Sequence, residues 1–187
     1  MKNRTLTLVI MALMVAFLCV SAYISIPLPN GTHLTALNFT VMLIVMIFPL
    51  KQSLGILGIW FIMGLINLPV YIAGASGIGY VLGPYGGFTF SFVLLALIIP
   101  PLAKINTKHD KIKYIILGIL AATFIDVVGT LYLIPVAKMS FMKAVAVGFL
   151  PFIVIDIIKS VVAALLVPEI KKALDKAGME QNLNLNN

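Results

Sequence analysis

Six stretches of this chain each string together about 20 mostly apolar residues, a length that matches a helix crossing a bilayer. No other feature narrows the possible folds as far. In lipid every backbone N–H and C=O must be satisfied internally, so such runs become helices. The expected spans cover residues 5–26, 33–50, 54–73 (interrupted by Pro69), 84–102, 113–134 and 151–174. Only 10% of residues are charged and 61% are hydrophobic, against roughly 25% charged in soluble domains. The fold class expected is therefore an all-α membrane protein of six transmembrane helices. It forms one domain over residues 1–177, followed by a polar, disordered tail over 178–187. The first apolar run is longer than the roughly 7–15 residues of a signal peptide's apolar region, and no small-x-small cleavage site follows it. It reads as a retained first span.

The basic residues orient this arrangement. With the N-terminus inside, the inner segments hold Lys2, Arg4, Lys51, Lys104, Lys108, Lys111, Lys113, Lys171, Lys172 and Lys176, whereas the outer ones hold only Lys138 and Lys143. Basic residues favour the cytoplasmic side, so both termini are expected there. The net charge of +7 does not indicate nucleic acid, because the cations lie in gaps between apolar runs and form no stripe. Residues 137–150 are moderately amphipathic and suit a short interfacial helix. The outer connections are a tight turn at 27–32, PLPNGT, and a Gly-rich loop at 70–83, VYIAGASGIGYVLG.

Few residues inside the runs can carry chemistry. Asp156 and Lys159 are spaced i, i+3 and so share a helix face. They fall in the first turns after Pro151, toward the outer end of the sixth span. Intramembrane ionisable residues mark polar ligand sites or structural ion pairs, and both readings apply to this pair. Asp126 sits mid-span in FIDVVGTLYLI without a basic neighbour in sequence, so it either lines the same cavity, pairs with Lys159 across helices, or stays protonated. Asn38 and Thr40 lie in the outer half of the second span, where they bind ligand or bond between helices. Gly83-Pro84-Tyr85-Gly86-Gly87 opens the fourth span as a pocket wall or a tightly packed helix start. Ala12 and Ala16 form a small-xxx-small pattern that permits close helix approach. Cys19 reads as packing. Trp60 and Tyr71 read as interface or packing aromatics. His33 and His109 read as interfacial polar residues without metal-ligand spacing. No nucleotide-binding loop is present, and no enzyme signature or catalytic cofactor is expected.

Taken in order, LNFTVML, GLINLPVYIAGASGIGYVLGPYGGF, VVGTLYL and PFIVIDIIKSVVAALL resemble the BioY family. These are the biotin-specific S components of energy-coupling factor (ECF) vitamin transporters. GP-x-GGF and PFxxxDxxK together carry the resemblance. It implies a six-helix S-component bundle in a prokaryotic cell membrane that binds one vitamin near the outer face. It also implies two kinds of partner, a transmembrane T component and a pair of cytosolic ABC-type ATPases. Asp156 and Lys159 match the family's acidic and basic ligands. Asn38 stands at a Gln position, Ser76 falls near an Asn of the Gly-rich loop, and Ala12 and Ala16 match the T-component docking motif. Tyr85 replaces a common Thr, and Thr89 stands where some members carry Arg. Biotin's ureido N–H groups suit Asp156, its carboxylate suits Lys159, and its thioether bicycle suits an aromatic wall of Tyr80, Tyr85 and Phe88. An acid-bearing cofactor such as lipoate is the alternative ligand. A proton-coupled secondary transporter using Asp126 and Asp156 is the alternative mechanism, and an assembly protein without ligand is a third reading.

Overall fold

The computed structural model describes residues 4–28, 33–105 and 107–179. Among the described residues, four helices are long and apolar enough to cross a membrane: α1 (Arg4–Tyr23), α5 (Gly86–Ala103), α6 (Asp110–Val136) and α8 (Leu150–Lys176). Two shorter apolar helices, α2 (Leu37–Ile47) and α3 (Leu50–Leu65), complete the bundle. Lys2, residues 29–32 of the tight turn and residues 180–187 of the polar tail lie outside the described residues.

The second and third apolar runs differ most from the sequence expectation. At about 1.5 Å per residue, the 11 residues of α2 rise only about 16 Å, roughly half a hydrocarbon core. The helix is apolar all round because protein surrounds it. Val41, Met42, Ile44, Val45 and Met46 are fully buried, and α2 packs against α1, α3, α5, α6 and α8. Hydropathy counts such a core helix and a lipid-facing one alike. Residues 33–35, expected as the start of that helix, instead form strand β2 (His33–Thr35), antiparallel to β1 (Ser25–Pro27) with Ile26 opposite Leu34. The first helix accordingly ends at Tyr23. The third starts at Leu50, directly after Pro49, and stops at Leu65.

The Gly-rich segment between α3 and α5 is a folded cap. It contains a 3₁₀ turn (Ile72–Gly74) and the short helix α4 (Ile78–Val81). Trp60 Nε1–H donates to the Val70 carbonyl at 3.0 Å, the Tyr71 hydroxyl to the Phe61 carbonyl at 2.7 Å, and the Gly77 N–H to the Gly64 carbonyl at 2.7 Å. Gly77, at φ 87°, turns the chain where an L side chain would be strained. Trp60 and Tyr71 are thus packing aromatics, both fully buried. The amphipathic 137–150 stretch contains α7 (Phe141–Gly148), N-capped by Ser140.

The GPYGG motif sets how closely α5 starts against α4. A Cβ on Gly86 would collide with the Val81 carbonyl, which also accepts from the Tyr132 hydroxyl at 3.3 Å. Backbone cannot rotate away as a side chain can, so Gly86→Ala is expected to destabilise the fold by about 1–3 kcal/mol. Thermal unfolding in detergent checks this; an unchanged midpoint would contradict it.

Candidate binding site

The N-terminal half of α8 meets the N-terminus of α2 beneath the hairpin, and this junction gathers the polar residues. Asp156, 0% exposed, accepts from Lys159 Nζ at 2.9 Å through Oδ1 and from Asn38 Nδ2 at 2.6 Å through Oδ2. Lys159 also donates to the Thr35 carbonyl at 2.9 Å, tying β2 to α8. The lysine side chain is 21% exposed and its carboxylate partner 1%, so the pair is largely withdrawn from solvent. A buried ion pair holds only when its remaining hydrogen-bonding sites are satisfied. Asn38 and the Thr35 carbonyl satisfy most of them here. An ammonium has three donors, and two are used.

Beside this cluster is a cavity of about 40 Å³ lined by His33, Thr35, Asn38, Asp126 and the apolar side chains of Ile72, Tyr85, Phe88, Phe92 and Phe152. Asp156 and Lys159 do not themselves form its wall; their partners Asn38 and Thr35 do. Pockets for drug-sized ligands measure roughly 300–1,000 Å³, so this one would have to widen to hold a ligand of that size. The hairpin contributes His33 to its lining, and the segment between α3 and α5 contributes Ile72 and Tyr85. From Tyr85 on the wall an aromatic ladder runs back into the protein. Tyr71 stacks on Tyr80 at 4.8 Å, Tyr80 stacks on Tyr85 at 5.8 Å, and Trp60 meets Tyr71 edge-on at 5.2 Å. Burial pushes the Tyr80 hydroxyl well above the usual tyrosine range, so it remains neutral.

Of the residues expected from sequence, Asp156, Lys159 and Asn38 form one bonded cluster, and Asp126 and Tyr85 join Asn38 on the cavity wall. Asp126 does not hydrogen-bond to Lys159; among the described residues neither of its carboxyl oxygens has a hydrogen-bond partner. Thr89 is buried behind the wall, its hydroxyl donating to the Tyr85 carbonyl at 3.2 Å. Ser76 lies in the cap, just before Gly77, and is not among the lining residues. Thr40 bonds between helices, its hydroxyl 2.7 Å from that of Ser21. His33 is the lining residue that the sequence reading set aside. It is a single histidine without a partner in sequence, and only the hairpin brings it over the cavity. Ala12 and Ala16 sit far from this site in sequence and project from the exposed face of α1.

Comparison with known proteins bears on the family and the fold. The BioY family profile matches residues 1–176. The biotin transporter BioY of Thermotoga maritima is 33% identical over 84% of this chain and 90% of its own length. The biotin transporter BioY2 of Lactococcus lactis is 28% identical over 88% of this chain and 90% of its own. A crystal structure of the S component for biotin from an ECF-type ABC transporter superposes with a TM-score of 0.83 at 24% identity, over 92% of this chain and 95% of that one. Sequence and fold therefore agree, and this chain belongs to the BioY family.

Proposed function

We propose that this chain is the substrate-binding S component of an ECF-type transporter for biotin, set in the cell membrane of a prokaryote. It captures the vitamin at the outer face and delivers it inward with a T component and two cytosolic ATPases. The observation that carries this reading is the buried Asn38–Asp156–Lys159 cluster at the cavity edge, in a family whose relatives include biotin transporters. Six helices, α1, α2, α3, α5, α6 and α8, make the crossings, with both termini cytoplasmic. The ten basic residues in the inner segments, against two in the outer ones, support this orientation. The short α2 is tolerated because protein, not lipid, surrounds it.

Polar and apolar groups around the cavity offer counterparts to parts of biotin. The third N–H of Lys159 is available to an acceptor on the ligand. Asp156 fixes both Lys159 and Asn38 in place. Phe88, Phe92, Phe152 and Tyr85 offer apolar faces to the thioether bicycle. Calorimetric titration of the purified protein against biotin, lipoate and other vitamins tests the assignment. Saturable one-to-one binding of biotin is expected, with no lipoate binding at the same concentration. Lipoate binding in the absence of biotin binding would reverse the assignment.

A further inference from the structure

One buried group has no role in the cluster just described. Asp126 lies midway along α6, 0% exposed, on the cavity wall. Both oxygens of Asp156 accept from protein donors, but among the described residues neither oxygen of Asp126 does. Burying a polar group without a partner is costly, so native structures rarely keep one without a reason.

The elements around Asp126 explain why the protein leaves it bare. On the cavity wall, α5 supplies the rings of Phe88 and Phe92, and α8 supplies Phe152. From α2 the Asn38 amide is turned onto Asp156, and Lys159 on α8 is turned onto Asp156 and the Thr35 carbonyl. From β2 comes His33, whose Nδ1 is likewise buried without a hydrogen-bond partner among the described residues. The acceptor is therefore offered to the cavity.

Building on the biotin reading, we propose that Asp126 is a specificity-determining ligand contact that accepts an N–H donor of the bound molecule. It selects a ureido ring over vitamins whose buried end has no N–H. Lipoate, with a dithiolane ring, offers nothing to this carboxyl group. A binding site built around a hydrogen bond rejects analogues that cannot make it, because its own buried group is then left unpaired.

The test compares wild type with Asp126→Leu, which keeps the branched side-chain shape and removes both acceptor oxygens, by calorimetry, using biotin and 2-iminobiotin, whose cyclic guanidinium replaces the urea. Biotin is expected to bind Asp126→Leu about 10- to 100-fold more weakly, the cost of leaving a buried N–H without its acceptor. The cationic 2-iminobiotin should lose more, since a charged donor gives up more than a neutral one when its acceptor is removed. Biotin binding to folded Asp126→Leu within twofold of wild type would overturn the proposal. If that variant does not fold, the structure of the wild-type protein with biotin decides. A ureido nitrogen within hydrogen-bond distance of an Asp126 oxygen supports the contact, and its absence overturns it. Failure of wild type to bind biotin at all would overturn the biotin reading, and this inference with it.

Discussion

Asp156→Ala is expected to weaken biotin binding by at least about two powers of ten and to lower the thermal midpoint. Asp156 is the carboxylate on which Asn38 and Lys159 both converge. Removing one partner of a buried ion pair costs about 3–5 kcal/mol, because the other charge stays buried without compensation. Through Lys159 the loss reaches the Thr35 carbonyl, and so the anchoring of β2 over the cavity. A fall in both stability and affinity does not by itself separate a structural pair from a ligand site. The double variant Asp156→Leu/Lys159→Met does. Replacing both charges with apolar groups of similar volume is often neutral or stabilising. The double variant should therefore regain most of the thermal stability that Asp156→Ala loses, while biotin binding stays at least as weak as in Asp156→Ala. Wild-type affinity in the folded double variant would show that the pair only holds the bundle together.

The same cluster shows where the sequence was legible and where it was not. Asp156 and Lys159 could be read as one unit because an i, i+3 spacing in a helix fixes their shared face without any knowledge of tertiary structure. The long helices α1, α5, α6 and α8 were legible for a similar reason, since a sustained apolar run leaves few alternatives. The helix α2 was legible as apolar but not as a core helix, since hydropathy does not record whether lipid or protein meets a side chain. The hairpin was missed because Ile24, Ile26 and Leu34 continue the apolar runs on either side, and its strands are only three residues each. That omission hid His33. Asp126 was left open between several partners, because the choice depends on which donors α2, α5 and α8 present, and those helices are distant in sequence.

Ala16→Trp is expected to leave biotin binding unchanged while reducing recovery of the complete transporter at least about tenfold. The buried side of α1 carries Ile10, Val15, Leu18, Ser21 and Ala22. Its outer side carries Ala12 and Ala16 between the exposed Leu8, Val9, Leu13, Phe17 and Val20. In a bilayer, exposed apolar side chains are ordinary, so the larger residues do not mark a partner. The two alanines matter because helices associate in lipid through close packing, and small residues four apart let two backbones approach. An indole at Ala16 would fill that seam. No residue of α1 lines the cavity, so the change should not reach the ligand. The measurement is co-purification of tagged chain with co-expressed T component and ATPases, beside a biotin titration of the isolated chain. Leu97→Trp on the exposed side of α5 controls for added bulk elsewhere and should leave assembly intact. Normal recovery of the complex with Ala16→Trp would place the T component on another face. Equal loss with Leu97→Trp would mean that bulk anywhere on the lipid-facing surface disturbs assembly, and the alanine seam would lose its special status.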